Sequence, residues 1–247
     1  AGSVATPFTT ATANSNAEIT ASGSAAQDGV LVTVNSGTNP SGSGTTAWAG
    51  YTPAGKNAVI NGGFDIWQRG TSIAVAANNQ TFTSDRWMLG SVVNAACTVS
   101  RQATSDTTNL PNIQYCARVQ RNSGQTGTTE IGFSQSFETI NSIPFAGKTV
   151  TISFYARAGA NYSPTASALA YRVYSGTGTD QNITTTGYTG STLVINQTAT
   201  LTTTWQRFSY SVSIASTATE LATVFAFTPT GTAGVNDYFE VTGVQLE

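Results

Sequence analysis

Thr149-Val150-Thr151-Ile152-Ser153-Phe154-Tyr155-Ala156-Arg157 alternates apolar with polar or amphipathic side chains, residue by residue. Successive side chains of an extended chain point to opposite sides. Val150, Ile152, Phe154 and Ala156 therefore share one face, and Tyr155 and Arg157 the other. The same period in 170–174 puts Tyr171 and Val173 inward and Arg172 and Tyr174 outward. In 205–214 it puts Phe208, Tyr210, Val212 and Ile214 inward and Trp205 and Arg207 outward. Further apolar or alternating runs stand at 58–60, 73–76, 97–101, 114–120, 131–137, 193–195, 222–227 and 238–246. Gly, Asn, Ser and Pro separate them at the spacing of a sandwich or barrel. No segment sustains the i, i+3, i+4, i+7 pattern of an amphipathic helix. The expected fold is all-β: an antiparallel two-sheet jelly-roll β-sandwich over 56–247, preceded by an extended Ser/Thr/Gly-rich linker with a short β element.

Bulk composition narrows the function classes. Hydrophobic residues make up 39% of 247 residues, enough for a sizeable core. Charged residues are 9%, against roughly 25% in ordinary domains. Solubility therefore rests on hydroxyls and amides, as in many extracellular β-proteins. The net charge of -2 without a basic run offers nothing to a nucleic-acid backbone. No apolar run approaches the length of a membrane-spanning helix, so no membrane insertion is expected. The absence of histidine removes Ser-His-Asp and Cys-His nucleophile systems and Cys/His zinc sites. Cys97 shares strand parity with Val99, whereas Cys116 has parity opposite to Val119. If both valines face the core, the thiols lie on opposite faces and stay free.

Residues 9–55 are of low complexity, with one clear strand signal at Val30-Leu31-Val32-Thr33-Val34 after the turn Asp28-Gly29. This stretch reads as a spacer.

Three segments carry a family likeness. They are Asn61-Gly62-Gly63-Phe64-Asp65-Ile66-Trp67-Gln68-Arg69-Gly70-Thr71-Ser72, then Ser84-Asp85-Arg86-Trp87-Met88-Leu89, then 147–158. Trp205-Gln206-Arg207-Phe208 and the closing residues 239–247 follow in order. Together they resemble a domain of bacteriophage tail-fibre and related virion proteins, whose fold is similar to carbohydrate-binding-module sandwiches. In that family the closing strand runs hydrophobic-x-Leu-Glu into a Gly-Ser, Ala-Thr-Pro-Phe tail. Here Val244-Gln245-Leu246-Glu247 closes the chain, and the tail-like Ala1-Gly2-Ser3-Val4-Ala5-Thr6-Pro7-Phe8 opens it. The resemblance implies an assembly junction of Ala1, Val4, Pro7 and Phe8 with Val244, Leu246 and Glu247. The chain would be one period of a tandem array, or residues 1–8 would complete a neighbouring copy. Expected partners are copies of itself and host surface glycans, at a virion surface or outside the cell.

Tyr155, Arg157, Arg172, Tyr174, Trp205 and Arg207 form one aromatic and guanidinium band if their strands are neighbours. Such a band stacks on sugar rings and bonds their hydroxyls or carboxylates, or it meets another subunit. Phe64, Trp67, Arg69, Asp85, Arg86 and Trp87 read as structural anchors, with Phe64 and Ile66 plugging the sandwich and Trp67 turned away. In that reading Arg69, Asp85 and Arg86 form ion pairs closing one end. Asp65 fits the calcium position of carbohydrate-binding-module relatives, but its last-strand counterpart falls at Thr242-Gly243, which offers no carboxylate. Asp65 is thus a weak calcium candidate, and no metal or cofactor is expected. The scattered acids show no paired-carboxylate motif, so no catalysis is expected.

Overall fold

The computed structural model describes residues 57–91 and 95–247. The expectations for the tail segment 1–8, including Ala1, Val4, Pro7 and Phe8, and for the spacer 9–55 lie outside the described residues. The described strands are β1 (Ser72–Val75), β2 (Gln80–Phe82), β3 (Met88–Ser91), β4 (Cys97–Ala103), β5 (Tyr115–Arg121) and β6 (Ile131–Phe137). One helical turn, α1 (Thr139–Ser142), leads to β7 (Thr149–Ala158). Then come β8 (Ala168–Gly176), β9 (Thr192–Thr200), β10 (Gln206–Ser213), β11 (Glu220–Phe227) and β12 (Tyr238–Leu246). They form two six-stranded sheets among the described residues. Sheet I runs β1-β4-β5-β12-β7-β10 and sheet II runs β2-β3-β6-β11-β8-β9. Every pairing is antiparallel. This is the expected jelly-roll sandwich.

The parity of the opening stretch holds. Val150, Ile152, Phe154 and Ala156 are buried between the sheets, and Tyr171 and Val173 face them from β8. An aromatic chain crosses the core: Phe64 to Trp87 at 5.1 Å, Trp87 to Phe133 at 4.8 Å, Trp87 to Phe225 at 6.1 Å, and Phe225 to Phe154 at 4.8 Å. Each offset or edge contact adds about 0.5–1.5 kcal/mol beyond burial.

The segment 61–70 departs from a regular strand. Phe64 takes φ 56° and plugs the core, as expected. Because the backbone turns there, Ile66 is exposed and Trp67 is buried, the reverse of the strand-parity reading. The Trp67 indole donates to the Phe64 carbonyl at 2.7 Å, and the Trp87 indole to the Ile60 carbonyl at 3.2 Å. Arg69 meets Asp85 at 3.6 Å. Arg86 instead pairs with Glu138, across the β6–α1 corner. The expected single ion-pair cluster is therefore two separate pairs.

Residues 57–62 run along the second half of β12. Ala58 N donates to Leu246 O at 2.8 Å, and Val244 N to Gly62 O at 3.1 Å. The Asn57 carboxamide oxygen accepts from Leu246 N, and its NH2 donates to Val244 O. A side chain at position 62 would collide with the Val244 carbonyl, so this approach requires glycine. β12 is thus an interior strand, and Val244 and Leu246 are core residues. Of the closing-strand residues expected at the junction, Glu247 alone is exposed, and the tail residues that would meet them lie outside the described residues.

Candidate functional site

The expected band divides between the two sheets. β7 and β10 are neighbours in sheet I, with Arg207 opposite Tyr155. β8 belongs to sheet II, so Arg172 and Tyr174 stand on the opposite outer face of the sandwich. Strand parity placed each side chain outward, but the six residues form two sites rather than one.

On sheet I, cross-strand register lines up Arg118, Glu240 and Arg157 on β5, β12 and β7. Glu240 is fully buried. One carboxylate oxygen accepts from Arg118 Nε at 2.9 Å and Nη2 at 2.7 Å. The other accepts from Arg157 Nε at 2.5 Å. The Arg118 guanidinium lies 4.0 Å over the Tyr238 ring, and Arg157 lies 4.7 Å over Trp205. Both guanidiniums are about a quarter exposed, with side-chain values of 24% and 23%.

Trp205 itself is 5% exposed. The β4–β5 connection folds over it: the indole donates to Thr104 O at 3.2 Å, and Leu110 and Cys116 complete a small cluster flanked by Ile113 and Tyr155. Trp205 therefore presents no open ring to a sugar, contrary to the sequence expectation. Tyr155 remains half-buried and Arg207 exposed.

On sheet II the outer face falls into two halves. Loop 177–190 crosses β2, β3 and β6. Thr184 bonds Ser134 at 2.6 Å, Ile183 N donates to Ser136 Oγ, and Tyr188 OH donates to Leu221 O. A Cβ at Gly90 would stand 2.7 Å from the Thr184 methyl, so glycine lets the loop lie flat. Glu220, buried beneath, accepts the Gln181 N–H. Beside this loop lies a concavity of about 160 Å³ lined by Phe82, Arg86, Ser134, Glu138 and Asp180. The Arg86 hydrogen bond holds the Glu138 carboxyl below the usual range.

The uncovered half is a trough of about 290 Å³. Register sets Ala226, Ala170 and Thr198 side by side on β11, β8 and β9, giving a floor of small side chains across three strands. Arg172 forms one wall and grips Glu130 with two bonds of 2.7 Å. That grip, with a weaker bond to Tyr174, holds the guanidinium protonated beyond its ordinary range. Thr165 and Thr230 line the other side.

Cys97 and Cys116 are free, as strand parity indicated, and both are buried. Burial pushes the Cys97 thiol up to about 12 and raises that of Cys116 further. Asp65 is exposed, and among the described residues no group of three or more acids, cysteines or histidines is placed to hold a metal. Sequence reasoning missed Glu240, Arg118 and Glu130. The signal for Glu240 was its outward parity on a strand whose other side is apolar.

No family model matches the chain, and no curated protein matches it. Solved structures do. A putative sugar binding protein from Bacteroides thetaiotaomicron VPI-5482 is similar at 10% identity and TM-score 0.48, over 78% of this chain and 99% of that one. The CBM22-1 xylan-binding domain of Paenibacillus barcinonensis Xyn10C has 15% identity and TM-score 0.45, over 80% and 97%. The enzymatically active domain of bacteriophage CBA120 tailspike protein 4 has 13% identity and TM-score 0.45. The match covers 77% of this chain and 21% of the tailspike chain. Likenesses this distant carry no functional assignment.

Proposed function

We propose that this chain is a non-catalytic glycan-binding module, and that the trough on the outer face of sheet II is its binding site. The floor of small residues Ala226, Ala170 and Thr198 carries the reading. It makes a concave strip across neighbouring strands, rimmed by threonine hydroxyls and an oriented Arg172–Glu130 pair. Saccharide rings need such a shape, with convergent donors and acceptors. Among the described residues lining the trough the one carboxylate is Glu130, and Arg172 engages both its oxygens. A pair of carboxylates for glycoside cleavage has no counterpart there. A glycan array, followed by calorimetry on any ligand found, tests the reading. Ala170→Phe fills the trough and Arg172→Ala removes its wall; each is expected to abolish binding while far-UV circular dichroism stays unchanged. An empty array, or binding indifferent to both substitutions, sinks it.

A second reading is a structural repeat of a phage tail fibre or other extracellular filament, joined to like copies. One observation favours it. Asn57 bonds the backbone at Val244 and Leu246, so the sandwich begins and ends at one corner. A sandwich joined through that corner hangs beside a filament as a pendant module and leaves its trough free.

A further inference from the structure

We propose that the outer face of sheet I is a second binding site, separate from the trough, for the carboxylates of an acidic saccharide. The row Arg118–Glu240–Arg157 holds two guanidiniums and one carboxylate, a net charge of +1 in a chain whose net charge is -2. Glu240 is fully buried on an interior strand and cannot swing away. It occupies Nε and Nη2 of Arg118 and Nε of Arg157. Nη1 of Arg118 and both terminal nitrogens of Arg157 bond no other described residue, and both side chains reach solvent. The Tyr238 and Trp205 rings fix the two guanidinium planes. An incoming oxyanion therefore meets donors already oriented, with little side-chain entropy left to lose.

The surroundings fit a saccharide better than a lone ion. Arg207 stands exposed on the neighbouring strand, opposite Tyr155, with no ion pair among the described residues. Given strand spacing of about 4.8 Å and rise of about 3.3 Å per residue, it lies roughly 8 Å from Arg157. Cationic positions thus repeat along the face, as carboxylates repeat along a polyuronate. The half-buried Tyr155 stands opposite Arg207 and two residues before Arg157, and the hydroxyl pairs Thr151–Ser211 and Thr149–Ser213 continue the strip.

The test is calorimetric titration of the full chain at low salt with trigalacturonate, neutral galactotriose and sodium sulfate. Trigalacturonate is expected to bind at least about tenfold more tightly than galactotriose, and Arg157→Gln to weaken it by about tenfold or more. Arg207→Gln changes an exposed side chain with no ion pair among the described residues, so the fold survives. It removes one cationic position of the strip and should weaken trigalacturonate about two- to threefold. This arm decides the matter if Arg157→Gln fails to fold. Unchanged binding in Arg157→Gln, or no loss in Arg207→Gln, overturns the proposal. Sulfate binding as tightly as trigalacturonate overturns the saccharide assignment. The trough-filling Ala170→Phe should leave trigalacturonate binding unchanged; its loss there would move the site to the trough and overturn the proposal while supporting the trough reading.

Discussion

Arg121 lies two residues past Val119 on β5 and four past Ala117, and so shares the parity of the core face. Its guanidinium is fully buried, yet each nitrogen is bonded. Nε donates to Asp237 at 2.8 Å, Nη1 to the carbonyls of Gly127 and Gly231, and Nη2 to the Thr230 carbonyl and Ser163 hydroxyl. Asp237 in turn accepts the Ser163 N–H and O–H. One ion pair thereby ties three connections at one end of the sandwich. Breaking a buried pair by removing one partner costs about 3–5 kcal/mol, because the survivor stays buried and uncompensated. Asp237→Ala is accordingly expected to lower unfolding free energy by that order in urea titration. A loss under about 1 kcal/mol would mean that solvent reaches Arg121. Parity alone showed Arg121 pointing inward. Its partner was not legible, since Asp237 lies far away in sequence and only the sheet order brings the two together.

Among elements, two alternating runs were legible in full, whereas the ten-residue run 205–214 overran β10 at both ends and its Tyr210, read as inward, is exposed. The runs at 131–137 and 238–246 coincide with β6 and β12 to the residue. β2 and β3 went unseen: Gln80-Thr81-Phe82 is too short to show a period, and Met88-Leu89-Gly90-Ser91 is interrupted by glycine. The larger failure was the band. Period-two parity fixes which side of a strand a residue takes, but not which sheet the strand joins, and β8 joined the other one. Trp205 illustrates a second limit. It points outward as read, yet the β4–β5 connection, bearing Leu110 and Ile113, closes over it. Covered rings are structural. Trp205→Ala is expected to cost about 3 kcal/mol, the low end for truncating a buried tryptophan, and to expose the Cys116 thiol to reagents at neutral pH. A variant melting with the wild type would return Trp205 to the surface and reopen it as a sugar-stacking ring.

At the scale of the molecule, residues 57–62 act as a strap over the second half of β12. β5 pairs with β12 only from Tyr238 to Val241. Beyond that point the strap supplies the partners on this side, through Gly62 O, the Ala58 N–H and both ends of the Asn57 carboxamide. Among the described residues the core cluster draws on Ala58 and Val59 from this strap and otherwise on later residues. Two truncations therefore separate the strap from the spacer before it. A chain starting at Asn57 keeps every bond described here and is expected to stay monodisperse, with an unfolding midpoint close to that of the full chain. A chain starting at Gly63 loses two buried side chains and bares a run of unpaired β12 backbone, which is a template for pairing with another chain. It should melt earlier and self-associate as concentration rises, a shift visible by sedimentation velocity. If the shorter chain remains monomeric, the exposed half of β12 is shielded by its twist and flanking side chains. The strap would then be dispensable, and the corner where the sandwich begins and ends would be free to accept a strand from a neighbouring copy.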